Sequence, residues 1–332
     1  MALLDLPIKN DFSKPIIIER ESFLPGDAGE VKIPVGRMPS DTRLYVNTYV
    51  FRSTEPGPTV LIMGGVHGDE INGIEIVSQL LQEEKFHTIK KGNVILIPLL
   101  NVYGFNNFSR DVPDGKDVNR SFPGVNSGSL AARVAGTLTK KVLPYVDFAI
   151  DLHTGGSSRY NYPQARFHSK LSPAFEMAKI FNAPYSINQP LISKSFRKVA
   201  KDLNIPAIVY EAGESVRLDG MSIEYGKRGI KRFLNHLDML PYKDKKVVKS
   251  IIINATNWQR ASQSGIFIWS KSSGDFINKG DELGVIKDPY GSKLTMVLSK
   301  FSGFIIGHNN ASVVNHGDAL FHIGIDYAHE GF

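Results

Sequence analysis

Short apolar runs alternate with helical stretches through the middle of this chain, and this alternation limits the possible folds more than any other feature. The apolar runs cover residues 59–63, 93–100, 146–152 and 206–210, and two helical stretches between them cover about 70–84 and 130–143. Apolar strands separated by helices are typical of a sheet that is covered on both faces. The sequence therefore predicts an α/β fold.

Polar residues follow each of the four predicted strands. His67 lies just beyond the first strand, Asn101 closes the second, His153 closes the third and Glu211 closes the fourth. In open α/β sheets, ligands bind outside the carboxyl ends of the strands. We therefore expect these four side chains to converge on one crevice.

Two histidines and a glutamate in these motifs suit a metal ion. His67 and Glu70 are three residues apart at the start of a helix, where both side chains reach one side of the first turn, and His153 follows Glu70 by 83 residues. Two imidazoles and one carboxylate bind zinc with one open position, although such a site also accepts cobalt, manganese or nickel. Glu70 alone would also suit an ordinary helix N-terminus, and His153 alone would suit a core position. The Gly64-Gly65 pair before His67 favours the metal site.

Further charged residues surround these positions in the sequence. Asp151 shares a strand face with His153, and it either supports that histidine or simply lies near the crevice. The loop at residues 102–124 is long enough to indicate a function, and its arginines would grip a carboxylate or stabilise an oxyanion, unless they are merely solvated. Arg159 and Arg166 follow His153 closely and suggest a second anionic group on the substrate, unless each pairs with an aspartate.

The chain after about residue 247 lacks helical periodicity and contains an internal repeat. Ser264-Gly265 and Gly280-Asp281 recur as Ser302-Gly303 and Gly317-Asp318, with offsets of 38 and 37 residues. The repeat predicts a small β-sandwich that resembles the barrel-sandwich fold of lipoyl and biotinyl carrier domains. Lys293 lies where those carriers have their modified lysine but lacks the flanking signature. We therefore expect a surface lysine and a structural or oligomerising module.

These observations divide the chain into two predicted domains. The division places a catalytic domain at residues 1–247, its N-terminal β segment at 1–57 with candidate antiparallel strands at 30–34 and 43–51, and the β-sandwich at 248–332. The charged run at residues 243–249 lies at the boundary, and we interpret it as a solvated linker.

The motifs together make the chain similar to the succinylglutamate desuccinylase/aspartoacylase family, within the zinc carboxypeptidase superfamily. Five motifs follow one another in family order across residues 58–215: Gly-Gly-Val-His67-Gly-Asp-Glu70, Ser-Arg110, Asp117-Val-Asn119-Arg120-Ser-Phe-Pro-Gly, Asp-Leu-His153-Thr-Gly and Tyr-Glu211-Ala-Gly-Glu. The resemblance implies a zinc-carboxypeptidase-like mixed sheet with helices on both faces. It also implies the small C-terminal all-β barrel-sandwich domain that many members have.

The resemblance further implies a role for each matching residue. One Zn²⁺ per chain would be bound by His67, Glu70 and His153, and Asp117 would orient His67. Glu211 would be the general base and acid, and Arg110 would polarise the scissile carbonyl. A substrate carboxylate would be held by Asn119 and Arg120. Zinc and Arg110 would share the negative charge of the tetrahedral intermediate, while Glu211 moves a proton from water to the leaving amine. Glu211 is preferred because it closes its strand, whereas Glu214 is expected in the following loop.

The function that we expect is that of a zinc amidohydrolase, which removes the acyl group from an N-acyl amino acid or related small N-acylated amine. A metallocarboxypeptidase acting on peptide C-termini would need the same metal and base, so it stays an alternative. A non-catalytic binding protein that keeps the fold is the alternative outside the enzymes, although no ligand or base is missing. A carrier role would require lipoate or biotin on Lys293.

Composition excludes several other classes of protein. The 332 residues carry a net charge of +6, with Lys and Arg scattered among Asp and Glu, which predicts no nucleic-acid partner but suits small anionic substrates. The sequence shows neither a membrane-spanning apolar stretch nor a secretory signal, so we expect no membrane association. The absence of cysteine fits a reducing compartment, and we expect a cytoplasmic protein. An edge-rich sandwich suggests a homo-oligomer.

Overall fold

A large mixed sheet with helices against both of its faces dominates the fold. The computed structural model describes residues 8–9, 11–244 and 249–329. The strands are β1 (Ile16–Ile18), β2 (Glu21–Phe23), β3 (Ala28–Arg37), β4 (Arg43–Arg52), β5 (Thr59–Met63), β6 (Asn93–Ile97), β7 (Phe148–Gly155), β8 (Arg159–Phe167), β9 (Tyr185–Asn188), β10 (Ala207–Glu214), β11 (Ile251–Arg260), β12 (Gly265–Trp269), β13 (Phe276–Ile277), β14 (Glu282–Lys287), β15 (Leu294–Leu298), β16 (Gly303–Asn309), β17 (Val313–Val314) and β18 (Ala319–His329). The helices are α1 (Ile71–Gln82), α2 (Val102–Asn106), α3 (Leu130–Lys141), α4 (Pro173–Phe181), α5 (Phe196–Asp202) and α6 (Gly220–His236), with short 3-10 helices at Lys85–Thr88, Val118–Arg120 and Leu143–Tyr145.

Twelve of the described strands form the main sheet. Their order is β13-β16-β18-β11-β9-β8-β10-β7-β5-β6-β4-β3, with an additional pairing between β16 and β8. The four central strands β10, β7, β5 and β6 are parallel. Their neighbours β8 and β4 run antiparallel to them. The carboxyl ends of the four parallel strands therefore meet at one end of the sheet, where a ligand is expected.

The apolar runs are confirmed as strands. They form β5, β6, β7 and β10, and every residue of the first three is buried. The two predicted helical stretches form α1 and α3. The candidate strands at 30–34 and 43–51 lie within the antiparallel pair β3 and β4. The predicted mixed α/β architecture is therefore correct, because strands that are buried on both sides need helices on both sides.

Two apolar cores lie on opposite faces of the main sheet, and β5 contributes to both. Val60 and Ile62 pack with α1, α4 and α6 on one face, whereas Leu61 and Met63 pack with α3 and α5 on the other. This division follows from the two-residue period of side chains along a strand. Each fully buried side chain of this kind stabilises the fold by about 1.5–3 kcal/mol. The cores hold β5 and its neighbours in a fixed register.

The strand β8 is an element that the sequence analysis did not predict. It lies between β10 and β9 in the main sheet, and it contains Pro163, which normally argues against a central strand. The register with β10 shifts between the pairs Glu211/Gln164 and Gly213/Asn161, so β8 carries one extra residue there. Pro163 lies in this bulge, where its missing N–H disrupts the ladder least.

The sequence repeat near the C-terminus corresponds to a repeat of strands. The strands β12, β13 and β14 recur as β16, β17 and β18. Within each copy the first strand pairs with the third, as β12 does with β14 and β16 with β18. The first strand also pairs with the two-residue strand of the other copy, as β12 does with β17 and β16 with β13. Side chains from both copies, including Phe267 and Phe321, share one apolar core. Lys293 is exposed in the hairpin between β14 and β15. The same strands also extend the main sheet, because β11 pairs with β9 and β16 pairs with β8.

The predicted domain boundary and most of the charged run at 243–249 lie outside the described residues. The division into domains at 1–247 and 248–332 therefore stays a prediction. Among the helices that the structure describes, none is both long and apolar enough to cross a membrane.

Candidate active site

The strand order brings the three predicted metal ligands together. The strands β5 and β7 are parallel neighbours, so the loop that follows β5 meets the last residues of β7. His67 lies in that loop, Glu70 occupies the N-cap position of α1 without a capping hydrogen bond from its side chain, and His153 lies near the end of β7. Gly155 permits the turn that follows, because a Cβ there would come within 2.0 Å of the Arg159 carbonyl oxygen.

The three side chains form a compact, buried cluster. Glu70 lies between the two imidazoles, with Oε1 at 2.8 Å from His67 Nδ1 and Oε2 at 2.8 Å from His153 Nδ1. The two Nδ1 atoms are 3.1 Å apart. The exposed fractions are 3% for His67, 1% for Glu70 and 4% for His153. Two imidazole nitrogens and one carboxylate oxygen that face one point form the donor set of a catalytic zinc site, so the residues fit this metal.

The electrostatics of the cluster also favour a cation. Burial opposes ionisation of Glu70, but the imidazoles of His67 and His153 hold the pKa of its carboxyl well below the usual range. Burial likewise opposes the charged form of His153, but the carboxylates of Asp151 and Glu70 raise the pKa of its imidazole well above the usual range. The buried negative charges thus call for a positive centre, which a divalent metal would supply in place of protons on Nδ1.

The Nε2 atom of each histidine, on the side of the ring away from Glu70, contacts a second carboxylate. Asp117 Oδ1 lies 3.2 Å from His67 Nε2, and Asp151 Oδ2 lies 2.8 Å from His153 Nε2. Histidines that bind metals usually donate their other N–H to a carboxylate, which fixes the tautomer and the ring orientation. The structure therefore gives Asp151 the same geometry toward His153 that Asp117 has toward His67. Sequence alone left the role of Asp151 open.

Asp151→Asn should weaken zinc binding by about 10-fold to 100-fold, because the amide no longer fixes the His153 tautomer. The measurement is competition for zinc against a chelator of known affinity. Asp147→Asn is a matched control, because Asp147 is buried just before the same strand and, among the described residues, accepts only from the backbone N–H groups of Lys9 and Thr59. Equal zinc affinity of Asp151→Asn and the wild type would contradict the role of Asp151.

Arg110 and Asp117 lie beside the ligand cluster. Arg110 donates from Nη1 to Glu70 Oε1 at 3.1 Å and from Nη2 to Asp117 Oδ2 at 2.9 Å. Burial opposes ionisation of Asp117, but the hydrogen bond with His67 and the charge of Arg110 lower the pKa of its carboxyl. These bonds fix the guanidinium next to the cluster, while 37% of the Arg110 side chain stays exposed.

Asn101 does not join the crevice, so that expectation was wrong. The residue is fully buried, and its Oδ1 accepts from the backbone N–H of Gly104 at 2.9 Å. Its Nδ2 donates to the carbonyl oxygen of Arg110 at 3.1 Å. Asn101 therefore caps α2 and anchors the loop that carries Arg110.

Asn119 and Arg120 line the same cavity from the loop side. Asn119 Oδ1 accepts from the backbone N–H of Phe196 at 2.8 Å, which ties the loop to α5. Arg120 is exposed, and its Nη1 donates to the carbonyl oxygen of Asn119 at 2.7 Å. The predicted substrate-binding residue Asn119 is thus fixed by the fold, whereas the guanidinium of Arg120 is open to solvent.

Glu211 lies directly beside His153, because the two residues are register partners on β10 and β7. Its Oε2 accepts from Asn161 Nδ2 at 2.7 Å, and its Oε1 accepts from Arg166 Nη1 at 2.7 Å. Glu214 is the last residue of β10 and not part of the following loop as predicted, and its carboxylate contacts Asn310 and Arg217. Both glutamates are therefore on one strand, but of the two only Glu211 lines the cavity that His67 and His153 also line.

One cavity of 390 Å³ is lined by His67, His153, Glu211 and Arg110. The described residues that line it include five arginines, namely Arg110, Arg120, Arg159, Arg166 and Arg197. The acidic residues in its lining are Asp151 and Glu211: Glu211 is bonded through both oxygens and Asp151 through Oδ2, while Asp151 Oδ1 has no partner among the described residues. An excess of guanidinium groups favours an anionic ligand.

A larger cavity of 640 Å³ lies elsewhere, at the amino ends of β7 and β10, where Asp147, Phe148 and Ala207 line it. Its walls are mostly apolar, and it holds none of the three metal ligands. Cavity size alone therefore does not identify the site, and the chemistry of the lining decides in favour of the smaller cavity.

Several cavity residues were not predicted from the sequence. Asn161, Trp258 and His322 come from β8, β11 and β18, and no local motif marks them. Arg197 comes from α5, with a side chain that is 9% exposed and an Nη1 that has no partner in the described part of the chain. Burial and the neighbouring Arg166 lower the pKa of Arg197 to about 10. The one local signal for Arg197 is that it follows Ser195, the N-cap of α5, by two residues, because the first turn of a capped helix has a fixed position.

Comparison with known families agrees with this arrangement. The profile of the succinylglutamate desuccinylase/aspartoacylase catalytic domain matches residues 56–237, which is more than half of the chain. The chain belongs to the succinylglutamate desuccinylase/aspartoacylase family. The resemblance that the motifs suggested is therefore confirmed.

Individual relatives of this desuccinylase/aspartoacylase family member match almost its full length. An N-alpha-acetyl-L-2,4-diaminobutyric acid deacetylase from Halomonas elongata is 26% identical over 310 residues, which is 88% of this chain and 89% of the relative. The crystal structure of a succinylglutamate desuccinylase/aspartoacylase from Rhodobacter sphaeroides is 25% identical with a TM-score of 0.78, covering 91% of this chain and 96% of its own. The product-bound ectoine utilization protein from Ruegeria pomeroyi, at 23% identity, has the same fold with a TM-score of 0.79, covering 97% of this chain and 98% of its own.

Proposed function

We propose that this chain is a zinc-dependent amidohydrolase that removes the acyl group from an N-acyl amino acid or related small N-acylated amine. The observation that carries the proposal is the buried cluster of His67, Glu70 and His153, whose two histidines line the same cavity as Glu211. The names of the relatives, which are those of deacylases, support the same reaction. The cavity volume of 390 Å³ suits a small substrate better than a long peptide.

Glu211 is the general base and acid in this proposal. A zinc ion held by His67, Glu70 and His153 would supply Lewis acidity, which lowers the pKa of water toward about 7 and polarises a carbonyl. Glu211 accepts a proton from the attacking water on a carboxylate oxygen and then delivers it to the nitrogen of the leaving amine. Asn161 and Arg166 orient the carboxylate through their hydrogen bonds to its two oxygens.

Arg110 stabilises the charge that develops on the scissile carbonyl oxygen. Its guanidinium is next to the metal ligands and is held in place by Asp117. A fixed donor of this kind favours the transition state because it needs no reorganisation when charge appears. Asp117 and Asp151 position the two histidines, as described above.

The remaining arginines bind the anionic part of the substrate in this proposal. Asn119 and Arg120 hold a carboxylate, and Arg159 lies exposed at the opening of the same cavity. Arg166 donates Nη1 to Glu211 and Nε to Gln164, and no described residue accepts from its Nη2, which leaves that group for the substrate. Two anionic positions on the substrate would account for this many guanidinium groups.

Turnover of an acyl-amino-acid panel by zinc-loaded protein tests the proposal. The panel contains N-acetyl, N-succinyl and other N-acyl amino acids together with short peptides, and mass spectrometry detects the products. We expect release of one class of acyl group with the free amine, from protein that contains about one zinc per chain. Trimming of peptides alone would indicate a metallocarboxypeptidase, and silence of a zinc-bound sample on the whole panel would favour a binding protein.

A further inference from the structure

The C-terminal strands contribute two stacked aromatic rings to the cavity. Trp258 on β11 and His322 on β18 are direct cross-strand partners. Their ring centroids are 4.3 Å apart and their planes differ by 5°. Both residues line the cavity that contains His67, His153 and Glu211. We refer to the stacked pair Trp258 and His322 as the aromatic wall.

The aromatic wall continues a row of residues that starts at Glu211. Asn161 bonds to Glu211 and is the register partner of Gly307 on β16, and Gly307 is in turn the register partner of His322. A Cβ on Gly307 would lie 3.0 Å from Asn161 Oδ1, so glycine allows this close approach. In the order of strands, β7 separates β10, where the row starts, from β5, which precedes His67. The wall therefore lies on the Glu211 side of the cavity.

His322 is a buried imidazole whose hydrogen-bonding capacity is not used within the described part of the protein. Its side chain is 6% exposed, no described residue makes a hydrogen bond to either ring nitrogen, and neither nitrogen is among the fully buried unpartnered atoms of the described residues, so both keep accessible surface. Burial, with a smaller contribution from the charge of Arg166, lowers the pKa of His322 to about 3, so the ring is neutral. A neutral imidazole offers one donor and one acceptor. Because the ring lines the cavity, these two groups are open to whatever the cavity binds.

We propose that the aromatic wall determines which substrate this enzyme accepts. The face of Trp258 packs against the carbon atoms of the substrate arm that extends past Glu211, and the neutral ring of His322 hydrogen-bonds a polar group on that arm. An indole supplies a large, rigid apolar surface, and an unpaired polar group in a buried site rejects ligands that cannot satisfy it. This inference rests on the proposed function, because it names the residues that select the acylated substrate.

Fluorescence of Trp258 tests the inference without requiring turnover. The chain contains two tryptophans, so Trp269→Phe leaves Trp258 as the only indole. Trp269 lies on β12 and does not line the cavity. The probes are the N-acyl amino acids of the panel, titrated into zinc-loaded Trp269→Phe protein that also carries Glu211→Gln. We expect a saturable change in emission with the accepted probes, whereas binding detected by calorimetry without any change in emission overturns the proposal.

Kinetics of His322→Phe tests the hydrogen bond. Phenylalanine keeps an aromatic ring for stacking but has no nitrogen, so KM for the accepted substrate should rise by about tenfold with little change in kcat. His322→Asn, which keeps a donor and an acceptor, should recover part of the loss. His316→Phe is the matched control, because His316 is exposed in a turn outside the cavity. The wall is refuted if His322→Phe has the KM of the wild type, or if both His322 variants lose zinc and thermal stability together with activity.

The outcomes separate this inference from the proposed function. If no panel member is hydrolysed while Trp258 emission still responds to an acyl amino acid, the deacylase proposal fails and the wall is supported as a binding surface. If Glu211→Gln abolishes turnover while the His322 variants match the wild type on every substrate, the deacylase proposal stands and the wall is rejected.

Discussion

Replacing Glu211 by glutamine should lower kcat by about 100-fold to 10,000-fold, with a much smaller effect on KM. Glutamine has nearly the shape of glutamate but cannot accept a proton from water at neutral pH, and general base and acid catalysis contributes a factor of this size. The amide also fits its surroundings badly, since both Asn161 and Arg166 donate hydrogen bonds to the carboxylate of Glu211. The measurement is kcat at saturating substrate on samples with equal zinc content.

Glu214→Gln is the control for this experiment. Glu214 is on the same strand, three residues after Glu211, but does not line the cavity. We expect Glu214→Gln to keep most of the wild-type kcat. A Glu211→Gln enzyme with wild-type kcat would show that another group moves the proton, and an equal loss in both variants would point to damage to β10.

Replacing Glu70 by glutamine should weaken zinc binding by more than about 100-fold and abolish turnover. Loss of a carboxylate that supports a ligand costs roughly 10-fold to 100-fold in affinity, and loss of the negative charge of a ligand costs more. Glu70 is also the group that lies between His67 and His153, with 2.8 Å to each Nδ1 atom. The measurement is the zinc content after dialysis against a weak chelator, followed by titration with zinc.

Glu75→Gln is the matched control, because Glu75 lies on α1 one turn further and accepts from Gln79 outside the cluster. It should retain about one zinc per chain. Circular dichroism shows whether Glu70→Gln is folded, which separates loss of metal from loss of structure. A folded Glu70→Gln protein that binds zinc as tightly as the wild type would mean that Glu70 is not a ligand.

The core of the candidate site could be predicted from sequence because its signals are local. His67 and Glu70 are three residues apart at a junction of strand and helix, and the short loop that ends at the N-cap of α1 brings both to one point. His153 and Glu211 follow apolar runs that form parallel strands, and parallel strands present their ends at the same place. Period and spacing are properties of short segments, so they can be read without knowledge of the rest of the chain.

Local sequence signals did not predict the position of a side chain correctly where the residue type fits two different environments. Asn101 follows its strand just as His153 does, yet its side chain caps α2 and never reaches the cavity. Asp151 was ambiguous because alternation along a strand gives only the face, and the contact with His153 Nε2 depends on the position of that ring. The strand β8 was missed because Pro163 is a poor strand residue, and only the bulge beside β10 accommodates it.

The sequence by itself determined the α/β class, the repeat of strands near the C-terminus and the candidate metal-binding set His67, Glu70 and His153, because each depends on residues that are close in the chain or on a simple period. Only the tertiary structure decided that Arg166 holds Glu211 and that Trp258 and His322 line the same cavity. The first contact needs β8 to lie beside β10, and the position of His322 next to Asn161 needs β16 to pair with β8 across more than a hundred residues of chain. Such pairing is chosen by the packing of the whole sheet, and no short segment of sequence encodes it.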